Sequence, residues 1–233
     1  MDKNKLIEKQ DKIKQQITIP KTFDLSKIKK ICGLDVSFDK NDNTNNYVSA
    51  VIMEYPSMKL LYSLSGKVTL PIQYVAGFLG FRESDIFCNI LDDIKSKNPS
   101  MYPDLLMVDG NGLWHPSRCG SACHVGVKSK IPTIGIAKNP YLIEDLTHDK
   151  IKKISKTLDH RQNYKMKGNS DEKIFGAIVK NKSNVKPIFV SVGSGIDLDS
   201  AIEIVNNCSF YRIPEPIRHA DILSRTYVKN NNM

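Results

Sequence analysis

Apolar and polar positions follow two periods along this chain, and the change of period marks off its elements. After a Lys-rich opening with Ile13, Ile17 and Ile19 interspersed, Ile31-Cys32-Gly33-Leu34-Asp35-Val36-Ser37-Phe38 reads as an apolar strand with one acid, Asp35, in its middle. A polar turn over 39–46 and two strand-like runs, 47–55 and 59–68, follow, which predicts an antiparallel meander. From Leu79 the period turns helical, with Ile86, Ile90 and Ile94 at three- and four-residue spacing. Glu83 falls on that apolar face, where a carboxylate is costly unless it is paired, protonated or near a cation. An Arg82 or Lys partner at the edge of the core is the plain structural alternative.

Leu105-Leu106-Met107-Val108-Asp109 is a short apolar run stopped by Gly110 and Gly112. It predicts a buried strand carrying an acid at its carboxyl end, where open α/β sheets place their chemistry. A helix over 117–129 containing Cys119, Cys123 and His124 comes next, then a buried strand over 131–137 closed by Lys138. This alternation adds a parallel portion to the meander. Between 144 and 184 the pattern weakens to a helix over 150–158, a long loop and an edge strand over 174–179. A late strand over 187–192, a helix over 198–207 and a last short helix bearing Asp221 complete the chain. The organisation is a basic leader (1–30), one α/β domain with a mixed sheet flanked by helices (31–228) and a disordered tail (229–233).

Composition narrows the partners. The 233 residues carry 34 Lys+Arg against 25 Asp+Glu, a net charge of +9, which fits a phosphate-bearing partner or a generally basic surface. Five cysteines, an odd number without a disulfide-like framework, imply a reducing compartment. The polar leader is unlike a signal peptide, and no apolar run approaches the roughly 18 residues of a membrane helix. The expectation is an intracellular monomer, in cytoplasm or nucleus, with no membrane contact.

Four acids stand out by context: Asp35 within a strand, Glu83 on a helix face, Asp109 at a strand end and Asp221 beside His219. Carboxylates drawn together repel unless a cation sits among them, and Mg²⁺ takes oxygen ligands from such clusters. Metal-assisted phosphodiester hydrolysis is the matching chemistry, with Lys138 placed to stabilise charge. Cys119 and Cys123, lacking a second pair, read as packing rather than a zinc site.

Six ordered segments then resemble the motifs of endonuclease V, between about 31 and 227. They are Gly33-Leu34-Asp35-Val36-Ser37-Phe38, Tyr74-Val75-Ala76-Gly77-Phe78-Leu79-Gly80-Phe81-Arg82-Glu83, Val108-Asp109-Gly110-Asn111-Gly112 with His115, Ala122-Cys123-His124-Val125-Gly126-Val127, Gly135-Ile136-Ala137-Lys138, and 212–221 ending in His219-Ala220-Asp221. The Asn-Gly after Asp109 and the closing Ala-Asp-Ile-x-Ser-Arg resemble eukaryotic members. The resemblance implies a ribonuclease H-like fold and a Mg²⁺-dependent endonuclease, with Mn²⁺ able to substitute. Its substrate would be inosine-containing RNA or DNA, RNA favoured. The cut would fall one nucleotide 3′ of the inosine and leave a 3′-hydroxyl and a 5′-phosphate.

By position, the resemblance assigns Asp35, Glu83, Asp109 and Asp221 to the metal, His115 to the phosphate and Lys138 to the attacking water or transition state. Tyr74 would be the aromatic wedge replacing an extruded base, and Gly77, Gly110 and Gly120 would line the base pocket. Two departures stand against the pattern: Gln73 replaces a usual proline, and Ser191-Val192-Gly193-Ser194-Gly195 lacks the usual Gly-His-Arg. A non-catalytic inosine-binding module is the alternative function.

Overall fold

The computed structural model describes residues 3–38, 46–69, 75–169, 172–182 and 186–230. The polar turn expected after Phe38 lies outside the described residues up to Asn46. The elements are α1 (Lys3–Lys14), β1 (Lys30–Phe38), β2 (Asn46–Glu54), β3 (Leu60–Val68), α2 (Leu79–Lys97), β4 (Leu105–Asp109), α3 (Ser121–Ser129) and β5 (Thr133–Ala137). They continue as α4 (His148–Thr157), β6 (Gln162–Lys167), β7 (Ile174–Lys180), β8 (Ile188–Ser194), α5 (Leu198–Asn207) and α6 (Glu215–Asn230). One mixed sheet of eight strands runs β3-β2-β1-β4-β5-β8-β7-β6. The expected meander is β1-β2-β3, and β1, β4 and β5 form the parallel portion.

Strand alternation divides the core into layers. Ile31, Leu105, Met107, Ile134 and Ile136 pack with Ile202 and Val205 of α5 and with Ile217 and Ala220 of α6. Cys32, Leu34, Leu106 and Val108 face Ile86, Phe87, Ile90 and Ile94 of α2 and Ala122 and Val125 of α3. The period of two therefore sends Asp35, just past the parallel pairing of β1, Asp109 at the end of β4 and Lys138 just beyond β5 toward the α5–α6 layer. Helix α6 lies so close to β1 that a Cβ at Gly33 would stand 2.1 Å from the Pro216 carbonyl oxygen. That approach brings the next turn of α6 over the strand ends, and Tyr47 stacks on Tyr227 at 5.6 Å to hold its far half.

The turn after β4 is anchored by Trp114, which is fully buried and meets Phe175 and Phe189 edge-on. Its indole N–H donates to the Tyr141 carbonyl at 3.0 Å. The leader also joins this body. Leu6 is buried, and Gln10 Nε2 donates to the carbonyls of Cys119 at 2.8 Å and Gly77 at 3.3 Å.

The structure corrects several details. Strand β7 is not an edge strand but lies between β8 and β6. The long loop before it contains β6, whose sequence Gln162–Lys167 is exposed at all but one position and so lacks an apolar alternation. Helix α3 starts at Ser121, so Cys119 precedes it. The last helix is long, 16 residues, and runs through Asn230, while 231–233 lie outside the described residues. Among the described residues no helix is long and apolar enough to cross a membrane.

Candidate functional site

The parallel register ends with Leu34 beside Val108, so Asp35 and Asp109 follow as neighbours on the same face. Helix α6 places Asp221 above them. One carboxylate oxygen from each of Asp35, Asp109 and Asp221 lies within 4.8 Å of the others, which makes a set of hard oxygen donors able to hold a metal ion. Among the described residues it is the only such group of three or more. These acids, with Glu83 and Lys138, line a cleft of about 650 Å³.

Lys138, one residue beyond β5, reaches Asp109 Oδ2 at 2.6 Å and Asp221 Oδ1 at 3.6 Å. Burial opposes its charge, but Asp109, Asp221 and Asp35 outweigh that and hold its pKa above the usual lysine value. It is therefore a fixed cation and a hydrogen-bond donor. At the mouth, Arg225 pairs with Asp221 at 2.8 Å, one turn along α6.

Asp35 is the most deeply set of the three aspartates. Burial pushes its pKa up to about 6, the neighbouring Asp109 and Asp221 add to this, and a hydrogen bond from Ser224 opposes it. Ser224 Oγ donates to Asp35 Oδ2 at 2.6 Å and stands 2.6 Å from Ser37 Oγ. Neither serine stood out in the sequence. Ser224 sits in the Ala-Asp-Ile-x-Ser-Arg segment, three residues after Asp221, which is the one local signal of its role.

Glu83 enters the same cleft from the α2 layer and is outside the triad. Its Oε2 accepts from Ser121 Oγ at 3.0 Å, at the start of α3. Burial, opposed by that hydrogen bond and reinforced by Asp35 and Asp109, raises its pKa to about 8. Arg82 makes no direct ion pair with Glu83: its guanidinium lies over the Phe38 ring at 4.5 Å, and its charge lowers the Glu83 pKa only as a minor cause. A buried acid held up mainly by burial, beside an acidic triad, forms a donor set that a divalent cation would relieve.

The remaining expected residues separate. His115 is buried, its Nδ1 is 2.8 Å from Ser117 Oγ, and its ring meets Tyr141 edge-on. Burial, then His124, lowers its pKa to about 4, and it does not line the acidic cleft. This placement ties His115 to the turn after β4 through Ser117 and Tyr141. Gly77 has φ +83 and an open side, so a side chain there would be strained. A Cβ on Gly120 would come within 2.3 Å of the Asn111 carbonyl, while one on Gly110 would make ordinary contact with Ser121 and Val108. Tyr74 and Gln73 lie outside the described residues.

The segment lacking Gly-His-Arg has structural work. Ser191 Oγ accepts from the Gly112 N–H at 2.9 Å, and Ser194 Oγ accepts from the Thr18 N–H at 3.1 Å. Cys119 and Cys123 interact with each other, and the hydrogen bond with Cys123 is the main cause that draws the Cys119 thiol down to about 6.

The comparisons agree with this geometry. The family model described as Endonuclease V matches residues 11–222. Endonuclease V of Mus musculus is 36% identical over 206 residues, covering 88% of this chain and 61% of the mouse protein, so the chain spans about three fifths of that relative. Human Endonuclease V is 32% identical over 208 residues, covering 88% of this chain and 74% of the human protein. The crystal structure of the human catalytic domain matches with a TM-score of 0.93 at 29% identity, over 98% of this chain and 96% of that one. Ciona intestinalis Endonuclease V, in complex with a 24mer DNA containing an inosine followed by a ribo-adenosine, matches with a TM-score of 0.92 at 34% identity, over 98% of each chain. The fold is ribonuclease H-like, and the chain belongs to the Endonuclease V family of endonucleases.

Proposed function

We propose that this chain is a Mg²⁺-dependent endonuclease that cuts inosine-containing RNA or DNA one nucleotide 3′ of the inosine. The observation that carries the reading is the convergence of Asp35 from β1, Asp109 from the end of β4 and Asp221 from α6, with the Lys138 ammonium paired to two of them. Asp35, Asp109 and Asp221 would hold Mg²⁺, or Mn²⁺ in its place, which when bound polarises a phosphoryl oxygen and acidifies a water. In the reaction a water oxygen bonds to phosphorus as the P–O3′ bond breaks. The electron pair leaves on O3′, which takes up a proton to become the 3′-hydroxyl, and the 5′-phosphate keeps the water's oxygen.

Lys138, held protonated by its carboxylates, offers positive charge to the phosphate rather than acting as a base. Glu83, whose pKa burial raises, would join the metal's oxygen donors from the α2 side, where a bound cation would favour its ionised form. Tyr74 keeps the wedge role by its place in the motif, and the backbone near Gly77, Gly110 and Gly120 serves the extruded purine. A 6-oxo purine accepts a hydrogen bond where adenine donates one, so backbone N–H groups discriminate the two. The eukaryotic-type segments favour RNA, and the ribo-adenosine after the inosine in the Ciona complex supports that preference.

The test is cleavage of matched inosine and plain strands, as RNA and as DNA, with Mg²⁺ or EDTA. Cutting only of inosine strands and only with metal supports the reading. Inosine binding with no cutting under any condition would leave a binding module instead.

A further inference from the structure

A second depression of about 710 Å³ opens beside the acidic cleft and shares Lys138 with it. Beyond Lys138 it is lined by Lys152 and Lys156 of α4, Lys180 at the end of β7, Lys186 just before β8, and Arg212. No Asp or Glu lines it. None of these five cations makes an ion pair with a carboxylate among the described residues.

Two of the five build the wall. Lys180 Nζ donates to the Leu158 carbonyl at 2.9 Å and closes the end of α4. Arg212 donates to the carbonyls of Lys138 at 2.9 Å and Pro187 at 3.0 Å, which ties the groove to the backbone of the residue at the triad. The other three, Lys152, Lys156 and Lys186, are exposed, and the first two sit about 6 Å apart along one face of α4. Like charges gathered this closely repel, and an anion lying among them would relieve that repulsion.

A chain of phosphates fits that need. A strand whose scissile phosphate sits at the triad must leave the cleft, and the basic groove begins at the same lysine. An anionic membrane surface fits less well, because the apolar side of α4, Ile151 and Ile154, is already used in the core. We propose that this groove carries the phosphodiester backbone of the bound strand away from the cut, with Lys152, Lys156 and Lys186 touching successive phosphates. The proposal rests on the nuclease reading above and adds the path of the strand.

The test is equilibrium binding in EDTA of inosine and plain oligonucleotides, RNA and DNA, between about 50 and 200 mM salt, using the full chain and the variants K152A/K156A and K152E/K156E. Removing one lysine–phosphate pairing on a single strand lowers the slope of log K against log salt by about 0.7, so the alanine pair should lower it by about 1.4, equally for inosine and plain strands. The glutamate pair should weaken binding further at low salt. Unchanged slope and affinity in both variants, or binding of the wild type to phosphatidylserine vesicles but not to strands, would overturn the groove. If the variants lose slope while the wild type shows no preference for inosine, the groove stands and the inosine reading falls.

Discussion

Ser224 Oγ donates to Asp35 Oδ2 at 2.6 Å from the helix that, three residues earlier, carries Asp221. One element thus supplies one carboxylate of the triad and fixes the orientation of another on a different strand. Ser37 Oγ, 2.6 Å from Ser224 Oγ, extends the chain of hydroxyls.

Removing that hydroxyl should loosen the metal site without dismantling the fold. For Ser224→Ala the half-saturating Mg²⁺ concentration for cleavage should rise about 10–100-fold, as when a partner that orients a metal ligand is removed. At saturating Mg²⁺ the turnover number should recover most of its wild-type value. A fall in turnover with an unchanged Mg²⁺ requirement would count against the orienting role.

The metal-free protein should respond to pH through Asp35 and Glu83. Both have folded pKa values above their unfolded ones, 3.8 to about 6 for Asp35 and 4.5 to about 8 for Glu83, mainly because of burial. Their contribution to stability is complete below the unfolded values and is lost as pH rises through the folded ones. In EDTA, denaturant midpoints should fall as pH rises through that range. Bound metal requires the ionised acids, so Mg²⁺ affinity measured by calorimetry should rise across it with release of protons. A pH-independent affinity would contradict this.

Gln10 joins two backbone segments assigned to the base pocket, the Gly77 carbonyl and the Cys119 carbonyl next to Gly120. Gln10→Leu keeps the bulk but removes both of these hydrogen bonds, leaving the Cys119 carbonyl only a long contact of 3.5 Å from Ser117 Oγ, which should cost about 1–3 kcal/mol in chemical denaturation. The wall it positions should also shift, lowering discrimination between inosine and adenosine strands by about 10-fold in competition binding. Lower stability with full discrimination would confine Gln10 to the fold.

Much of the site was legible because its residues break a local pattern. Asp109 ends an apolar run, Asp35 interrupts one, and Glu83 lies on an apolar helix face, so period and burial expose each of them. The shared facing of Asp35, Asp109 and Lys138 follows from a period of two along neighbouring parallel strands. Ser224 and Ser121 were not legible in the same way, because ordinary serines gain meaning only from partners 189 and 38 residues away. His115 was legible as a motif histidine, while its partners Ser117 and Tyr141 come only with the fold. Strand β6 was missed because an exposed edge needs no apolar face; its pairing with β7 is made by the backbone.

The central claim is that Asp109 works with Asp35 and Asp221 to hold the metal that cuts an inosine strand. The most direct measurement is single-turnover cleavage of an inosine-containing strand by Asp109→Ala with saturating Mg²⁺, alongside binding of the same strand. The account predicts cleavage lower by at least about 10³-fold, as for loss of a principal charge-stabilising group, with inosine binding still measurable. Wild-type cutting by Asp109→Ala would contradict it.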